Sequence, residues 1–128
     1  MDRDQCILVI DDEVGICDLL KDVLTAEGYA VFTANDPEKG LRMVEELTPD
    51  LVLLDLKMPK MNGIEVLRRI KRFDDATAVI ITTGTGTEDT ARAATRLGAF
   101  DYVGKPFDFA HLKALVRDAL ANRIEGGF

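Results

Sequence analysis

Cysteine, histidine and long apolar runs are scarce in this 128-residue chain. Two cysteines, Cys6 and Cys17, are too few for the disulfide framework that staples small secreted domains. Both fall on apolar segments and read as buried packing thiols of a reducing cytoplasm. The single histidine, His111, sits in a C-terminal helical pattern and reads as solvent-facing. No stretch reaches the roughly 20 apolar residues of a membrane span. Met1-Asp2-Arg3-Asp4 carries acids where a signal peptide would not. Positive charge is not in excess: 16 Lys and Arg against 23 Asp and Glu leave a net charge of -7. That balance argues against a general nucleic-acid surface. Repeats, linkers and low-complexity segments are missing as well. What remains is 47% hydrophobic and 30% charged, the make-up of one soluble globular domain. Its expected extent is 1–124, with a C-terminal tail, 125–128, that should fray.

Apolar runs alternate with helical patterns five times. The expected strands are Ile7–Ile10, Ala30–Thr33, Leu51–Leu54, Val79–Thr82 and Tyr102–Gly104. Leu51-Val52-Leu53-Leu54 has no polar alternation, which marks a strand covered on both faces in a parallel sheet. Between the strands, helix one carries Ile16, Leu19, Leu20, Val23 and Leu24 on one face and stops at Gly28. Helix two opens with Asp36 as N-cap and Pro37 at the first position, and ends before Pro49. Helix three follows Gly63 with Ile64, Leu67 and Ile70 in step. Helix four, about Glu88 to Leu97, offers an Ala91, Ala93, Ala94 face and little else, so it should be weakly held. Helix five carries Leu112, Leu115, Val116, Ala119 and Leu120 and ends near Ile124. This is an α/β, doubly wound (βα)5 pattern of the flavodoxin/CheY-like kind, a five-stranded parallel sheet in the order 2-1-3-4-5.

In that order strands one and three are neighbours, and the crevice at their carboxyl ends is the switch point where such folds bind ligands. Asp11, Asp12 and Asp55 all map there. Like charges this close call for a cation or a proton. With no His or Cys beside them, the donors are all oxygen, which selects Mg2+, Mn2+ or Ca2+. Asp12 has a second reading, as the N-cap of the helix before Val14. Lys105 follows the fifth strand and Thr83 ends the fourth, so both face the same crevice. Carboxylates, one lysine and one hydroxyl suit a phosphoryl group: cation and lysine neutralise its oxygens, the hydroxyl donates a hydrogen bond, and an aspartate attacks in line.

These residues carry a family likeness over essentially the whole chain. Val9-Ile10-Asp11-Asp12-Glu13, Asp50-Leu51-Val52-Leu53-Leu54-Asp55-Leu56-Lys57-Met58-Pro59, Asn62-Gly63, Val79-Ile80-Ile81-Thr82-Thr83, Gly98-Ala99-Phe100-Asp101-Tyr102 and Lys105-Pro106-Phe107 resemble the receiver domain of two-component response regulators. Each piece alone is weak; together and in order they are specific. The resemblance implies that Asp55 is the phosphoacceptor, taking the group from a sensor histidine kinase or a histidine phosphotransfer protein. It implies that Asp11, Asp12, Asp55 and the backbone carbonyl of Lys57 hold Mg2+, with Mn2+ a substitute. Lys105 then pairs with the phosphoryl oxygens, Thr83 and Tyr102 form the switch, and Lys105–Pro106 is a cis peptide. Lys57 and Thr85 stand at the family's variable, lifetime-tuning positions, and Lys57 is expected to screen the attacking water. Gly84 departs from the alanine many relatives carry, opening space beside the site.

Because helix four has little packing to hold it, the surface of helix four, strand five and helix five is expected to be the element that shifts. The kinase is selected by helix-one residues such as Gly15, Ile16, Asp18 and Leu19. No output domain follows helix five, so the chain is expected to act on a downstream protein or to belong to a longer regulator. A homodimer through helices four and five on phosphorylation is a further form it can take. Against this switch stand a Mg2+-dependent phosphohydrolase with an aspartyl nucleophile, an FMN carrier and an unphosphorylated docking module. The first wants Asp-x-Asp after strand one and the second a hydroxyl- and glycine-rich loop there; the chain has Asp11-Asp12-Glu13. The third is at odds with a full set of key residues. Loop Gly84-Thr85-Gly86-Thr87 lacks the surroundings of a nucleotide P-loop.

Overall fold

A computed structural model describes residues 4–84 and 88–126. Five strands alternate with five helices: β1 (Cys6–Ile10), α1 (Val14–Ala26), β2 (Ala30–Ala34), α2 (Pro37–Leu47), β3 (Leu51–Asp55), α3 (Gly63–Phe73), β4 (Ala78–Thr83), α4 (Glu88–Arg96), β5 (Asp101–Gly104) and α5 (Phe109–Gly126). The strands are parallel in the order β2-β1-β3-β4-β5. The expected order and strand positions hold, each strand being one or two residues longer than its apolar run.

Successive strand side chains point to opposite faces, and the core divides accordingly. Ile7, Val9, Leu51, Leu53 and Ile80 pack with Cys17, Leu20, Leu24, Leu112, Val116 and Leu120, under α1 and α5. Leu8, Ile10, Val52, Leu54, Val79 and Ile81 pack with Val44, Val66, Leu67, Ile70, Ala91 and Ala94, under α2, α3 and α4. All of Leu51–Leu54 is excluded from solvent, which is why β3 tolerates no polar alternation. Burying each such side chain contributes about 1.5–3 kcal/mol. α4 buries only Ala91 and Ala94, so this helix has little apolar area holding it to the sheet.

Caps and turns set where the helices start and stop. Asp36 caps α2, accepting from the N–H groups of Glu38 (2.8 Å) and Lys39 (3.3 Å), with Pro37 behind it. Gly28 and Gly98 take left-handed φ of 98° and 111° after α1 and α4, conformations that glycine adopts without a Cβ penalty. Thr48 closes α2 in the same region, at φ 43°.

Several expectations need correction. Asp12 does not cap α1: Glu13 is the N-cap, without a side-chain hydrogen bond of its own, and Asp11 Oδ1 accepts its N–H at 2.9 Å. Leu19 is 41% exposed, because the α1 stripe is too wide to bury every leucine. Ala93 also faces solvent, and Cys6 is only partly buried while Cys17 is fully so. α5 continues past Ile124 to Gly126; Thr85, Gly127 and Phe128 lie outside the described residues.

Candidate functional site: the acidic rim of the sheet

The sheet delivers the acids to one edge. Ile10 pairs with Leu54 across β1 and β3, so Asp11 and Asp55 emerge side by side at the carboxyl end. Oxygens of Asp11, Asp12 and Asp55 all lie within 4.8 Å of one another. Asp11 and Asp55 are buried, at 1% and 4% exposure, and Asp12 is open to solvent. β5 ends two strands away, and Lys105 reaches back across the rim. Its Nζ is 2.8 Å from Asp11 Oδ2, 3.7 Å from Asp55 Oδ2 and 3.7 Å from Glu13 Oε1. The expected cis Lys105–Pro106 peptide is present.

Electrostatics follow from this crowding. Burial, then the neighbouring Asp11 carboxylate, push the Asp55 pKa up to about 6, against the Lys57 N–H that Asp55 Oδ1 accepts at 3.2 Å and the Lys105 charge. Burial works against the Lys105 ammonium, but Asp11, Asp55 and Glu13 outweigh it, and its pKa lies above the ordinary lysine value. Three carboxylates against one lysine leave a net negative pocket of hard oxygen donors. That donor set fits a divalent cation of the Mg2+ type, with Asp11, Asp12 and Asp55 as its side-chain ligands.

Thr83 is buried at the end of β4, with its hydroxyl donating to the Val103 carbonyl at 3.5 Å. The β4 residue in register with Asp55 is instead Thr82. Tyr102 is half-buried on β5 and packs against the layer under α2, α3 and α4. Lys57 is exposed, and a Cβ at Gly84 would meet nothing within 4 Å, in keeping with open space there.

Three participants were missed from sequence. Glu13 reaches Lys105, and its signal was its place directly after Asp11-Asp12. Asn35 and Cys17 both touch the Asp11 carbonyl, Asn35 Nδ2 at 3.2 Å and Cys17 Sγ at 3.4 Å. Burial, then the Asp11 charge, raise the Cys17 thiol to about 11, so it is a proton-bearing donor at neutral pH.

An acid-lined crevice at the topological switch point, faced by one lysine, is where a doubly wound domain binds its ligand. The comparisons with known proteins narrow that class. The response regulator receiver domain family matches residues 7–117. The transcriptional regulatory protein ZraR of Klebsiella oxytoca is 42% identical over 116 residues, covering 91% of this chain and 26% of that protein. Sporulation initiation phosphotransferase F of Bacillus subtilis is 42% identical over 114 residues, covering 89% and 92%. A response regulator receiver domain protein from Clostridium thermocellum superposes with a TM-score of 0.91 at 40% identity, covering 97% and 99%. The chain belongs to the receiver domain family of two-component response regulators, whose function is phosphoryl acceptance on an aspartate and whose members generally bind Mg2+. Receiver domains interact with histidine kinases or phosphotransfer proteins. The chain spans about a quarter of the ZraR protein and nearly all of the phosphotransferase. Among the described residues no helix is long and apolar enough to cross a membrane.

Proposed function

We propose that Asp55 is the phosphoryl acceptor of this receiver. The observation that carries the reading is its placement: a buried carboxylate at the end of β3, within 4.8 Å of oxygens of Asp11 and Asp12 and 3.7 Å from Lys105 Nζ. An Asp55 carboxylate oxygen forms a bond to phosphorus as the donor's P–N bond breaks, and the bonding pair leaves with the imidazole nitrogen. Asp11, Asp12 and Asp55, with the Lys57 carbonyl, would hold Mg2+, which would supply charge neutralisation of the phosphoryl oxygens. Lys105 leaves Asp11 for the phosphoryl oxygens, Thr83 exchanges the Val103 carbonyl for one of them, and Tyr102 follows.

The response is read on α4, β5 and α5. About one further negative charge and a set of strong acceptor oxygens at the rim act on a helix whose buried side chains are Ala91 and Ala94. Downstream partners, an output domain elsewhere in a longer protein, or a second copy bind that face. The phosphoryl source is a histidine kinase or phosphotransfer protein docking near α1, where Gly15, Asp18 and Leu19 are exposed and Ile16 is partly so. We place this exchange in the cytoplasm. Lys57 slows hydrolysis by screening water, so Lys57→Asn should shorten the lifetime of the phosphorylated form; an equal or longer lifetime refutes that role.

The test is direct. Wild type incubated with Mg2+ and acetyl phosphate should gain one phosphoryl group by intact mass, and Asp55→Asn none. Equal labelling of the two proteins, or no adduct on wild type, overturns the assignment. Sustained phosphomonoester turnover would favour the hydrolase.

A further inference from the structure

Asp11 is fixed through both halves of its backbone. Its N–H donates to the Ala34 carbonyl at 3.1 Å, continuing the β1–β2 ladder past the last strand residue. Its carbonyl accepts from Asn35 Nδ2 at 3.2 Å and from the Cys17 thiol at 3.4 Å. The second Asn35 contact, Nδ2 to Cys17 Sγ at 3.3 Å, joins the two donors. That carbonyl belongs to the peptide linking Asp11 to Asp12, so its orientation sets the angle between the two acid side chains.

The donors are themselves held. Cys17 is 1% exposed on α1. Asn35 precedes Asp36, whose Oδ1 caps α2 and whose Oδ2 accepts Lys60 Nζ from the β3–α3 loop at 3.2 Å. The clamp is therefore anchored in α1, α2 and the loop that follows Asp55.

We propose that Asn35 and Cys17 are positioning residues that lock the Asp11–Asp12 peptide and thereby set the affinity of the acidic rim for its divalent cation. The inference rests on the reading of Asp11 and Asp12 as cation ligands. Groups that orient metal ligands without touching the metal contribute about 10–100-fold in affinity, because an unlocked ligand must be ordered at the moment of binding.

Mn2+ titration of the full chain, read by electron paramagnetic resonance of the free ion, tests this. Asn35→Ala, at an exposed position, should weaken Mn2+ binding about tenfold. Cys17→Ala should weaken it less, and Cys17→Ser, which keeps a donor, should restore part of the loss. In acetyl phosphate labelling the Mg2+ concentration for half-maximal rate should rise, with the rate at saturating Mg2+ kept. A merely structural role would lower the melting temperature in EDTA and leave the Mn2+ affinity of the folded protein intact. Asp11→Ala is the control. If Asp11→Ala abolishes Mn2+ binding and Asn35→Ala binds as wild type, the clamp is wrong and the ligand reading survives. If Asp11→Ala also binds as wild type, both fall. Should Cys17→Ala fail to fold, Asn35→Ala decides alone.

Discussion

Lys105 Nζ sits 2.8 Å from Asp11 Oδ2 and 3.7 Å from Asp55 Oδ2. The lysine is thus lodged on Asp11, and Asp55 is left with the Lys57 N–H and a weaker share of the ammonium charge. Under the proposed phosphorylation of Asp55, the phosphoryl group would offer Lys105 more charge than Asp11 does, and the lysine should pass from one acid to the other.

Removing that lysine should expose how much Asp11 depends on it. Asp11 is 1% exposed, and a buried carboxylate stripped of its cation is costly. Lys105→Ala should lower unfolding free energy in EDTA by about 2–4 kcal/mol, and Mg2+ should return part of it. Urea melts with and without Mg2+ measure both. Coincident wild-type and variant curves in EDTA would show that the pair does not hold Asp11.

Asp55 predicts a pH dependence of the metal-free protein. Its folded pKa of about 6 lies above the ordinary 3.8, so between these values the folded state binds more protons than the unfolded one. Stability then falls as pH rises from about 4 to 6, and the penalty is complete above that. The neutral Asp55→Asn removes it. At pH 7 in EDTA the variant should be more stable than wild type by roughly 2–3 kcal/mol, with the gap closing toward pH 4. A pH-independent difference would mean that shape, not charge, separates the two proteins.

The fold was legible because a parallel sheet covered on both faces writes its strands as unbroken apolar runs. Leu51–Leu54 could be nothing exposed, and Asp36-Pro37 announced a helix start. The acids at the rim were equally plain, since each directly follows such a run. Sequence was silent where contacts depend on register. Asn35 meets Asp11 only because β2 lies beside β1 and Ala34 pairs with Ile10. Leu19 reads as core by periodicity, yet α1 has sheet beneath only part of its stripe. Adjacent threonines could be ranked by motif, but which hydroxyl finds a partner is a matter of side-chain geometry.

Gly63 ties α3 to the site. A Cβ there would lie 2.5 Å from Leu56 Cα and 2.8 Å from the Leu56 carbonyl oxygen. Both are backbone atoms, which yield less readily than a side-chain tip. The Gly63 N–H also donates to that carbonyl at 3.3 Å. Gly63→Ala should cost about 1–3 kcal/mol and slow acetyl phosphate labelling, because the displaced loop carries the Lys57 N–H bound to Asp55. Wild-type stability together with wild-type labelling would show that the loop absorbs a methyl freely.

Thr82 is the last residue whose role separates by chemistry. It pairs in register with Asp55 on one side and Val103 on the other, and Ile80, two residues back on the same face, belongs to the layer under α1 and α5. The residue is 2% exposed, and its hydroxyl has no hydrogen-bond partner among the described residues. A buried, unpaired hydroxyl loses its hydration without return, whereas a methyl of the same shape suits that layer. Thr82→Val should therefore stabilise the protein by about 1 kcal/mol and leave acetyl phosphate labelling of Asp55 in place. Thr83→Val, next along the strand, should bring no such gain and should weaken the response of α4 to phosphorylation, read as loss of the phosphorylation-dependent change in amide exchange of that helix. A lower urea midpoint for Thr82→Val would reveal a bound water on the hydroxyl and assign Thr82, beside Asp55, to the polar network of the rim.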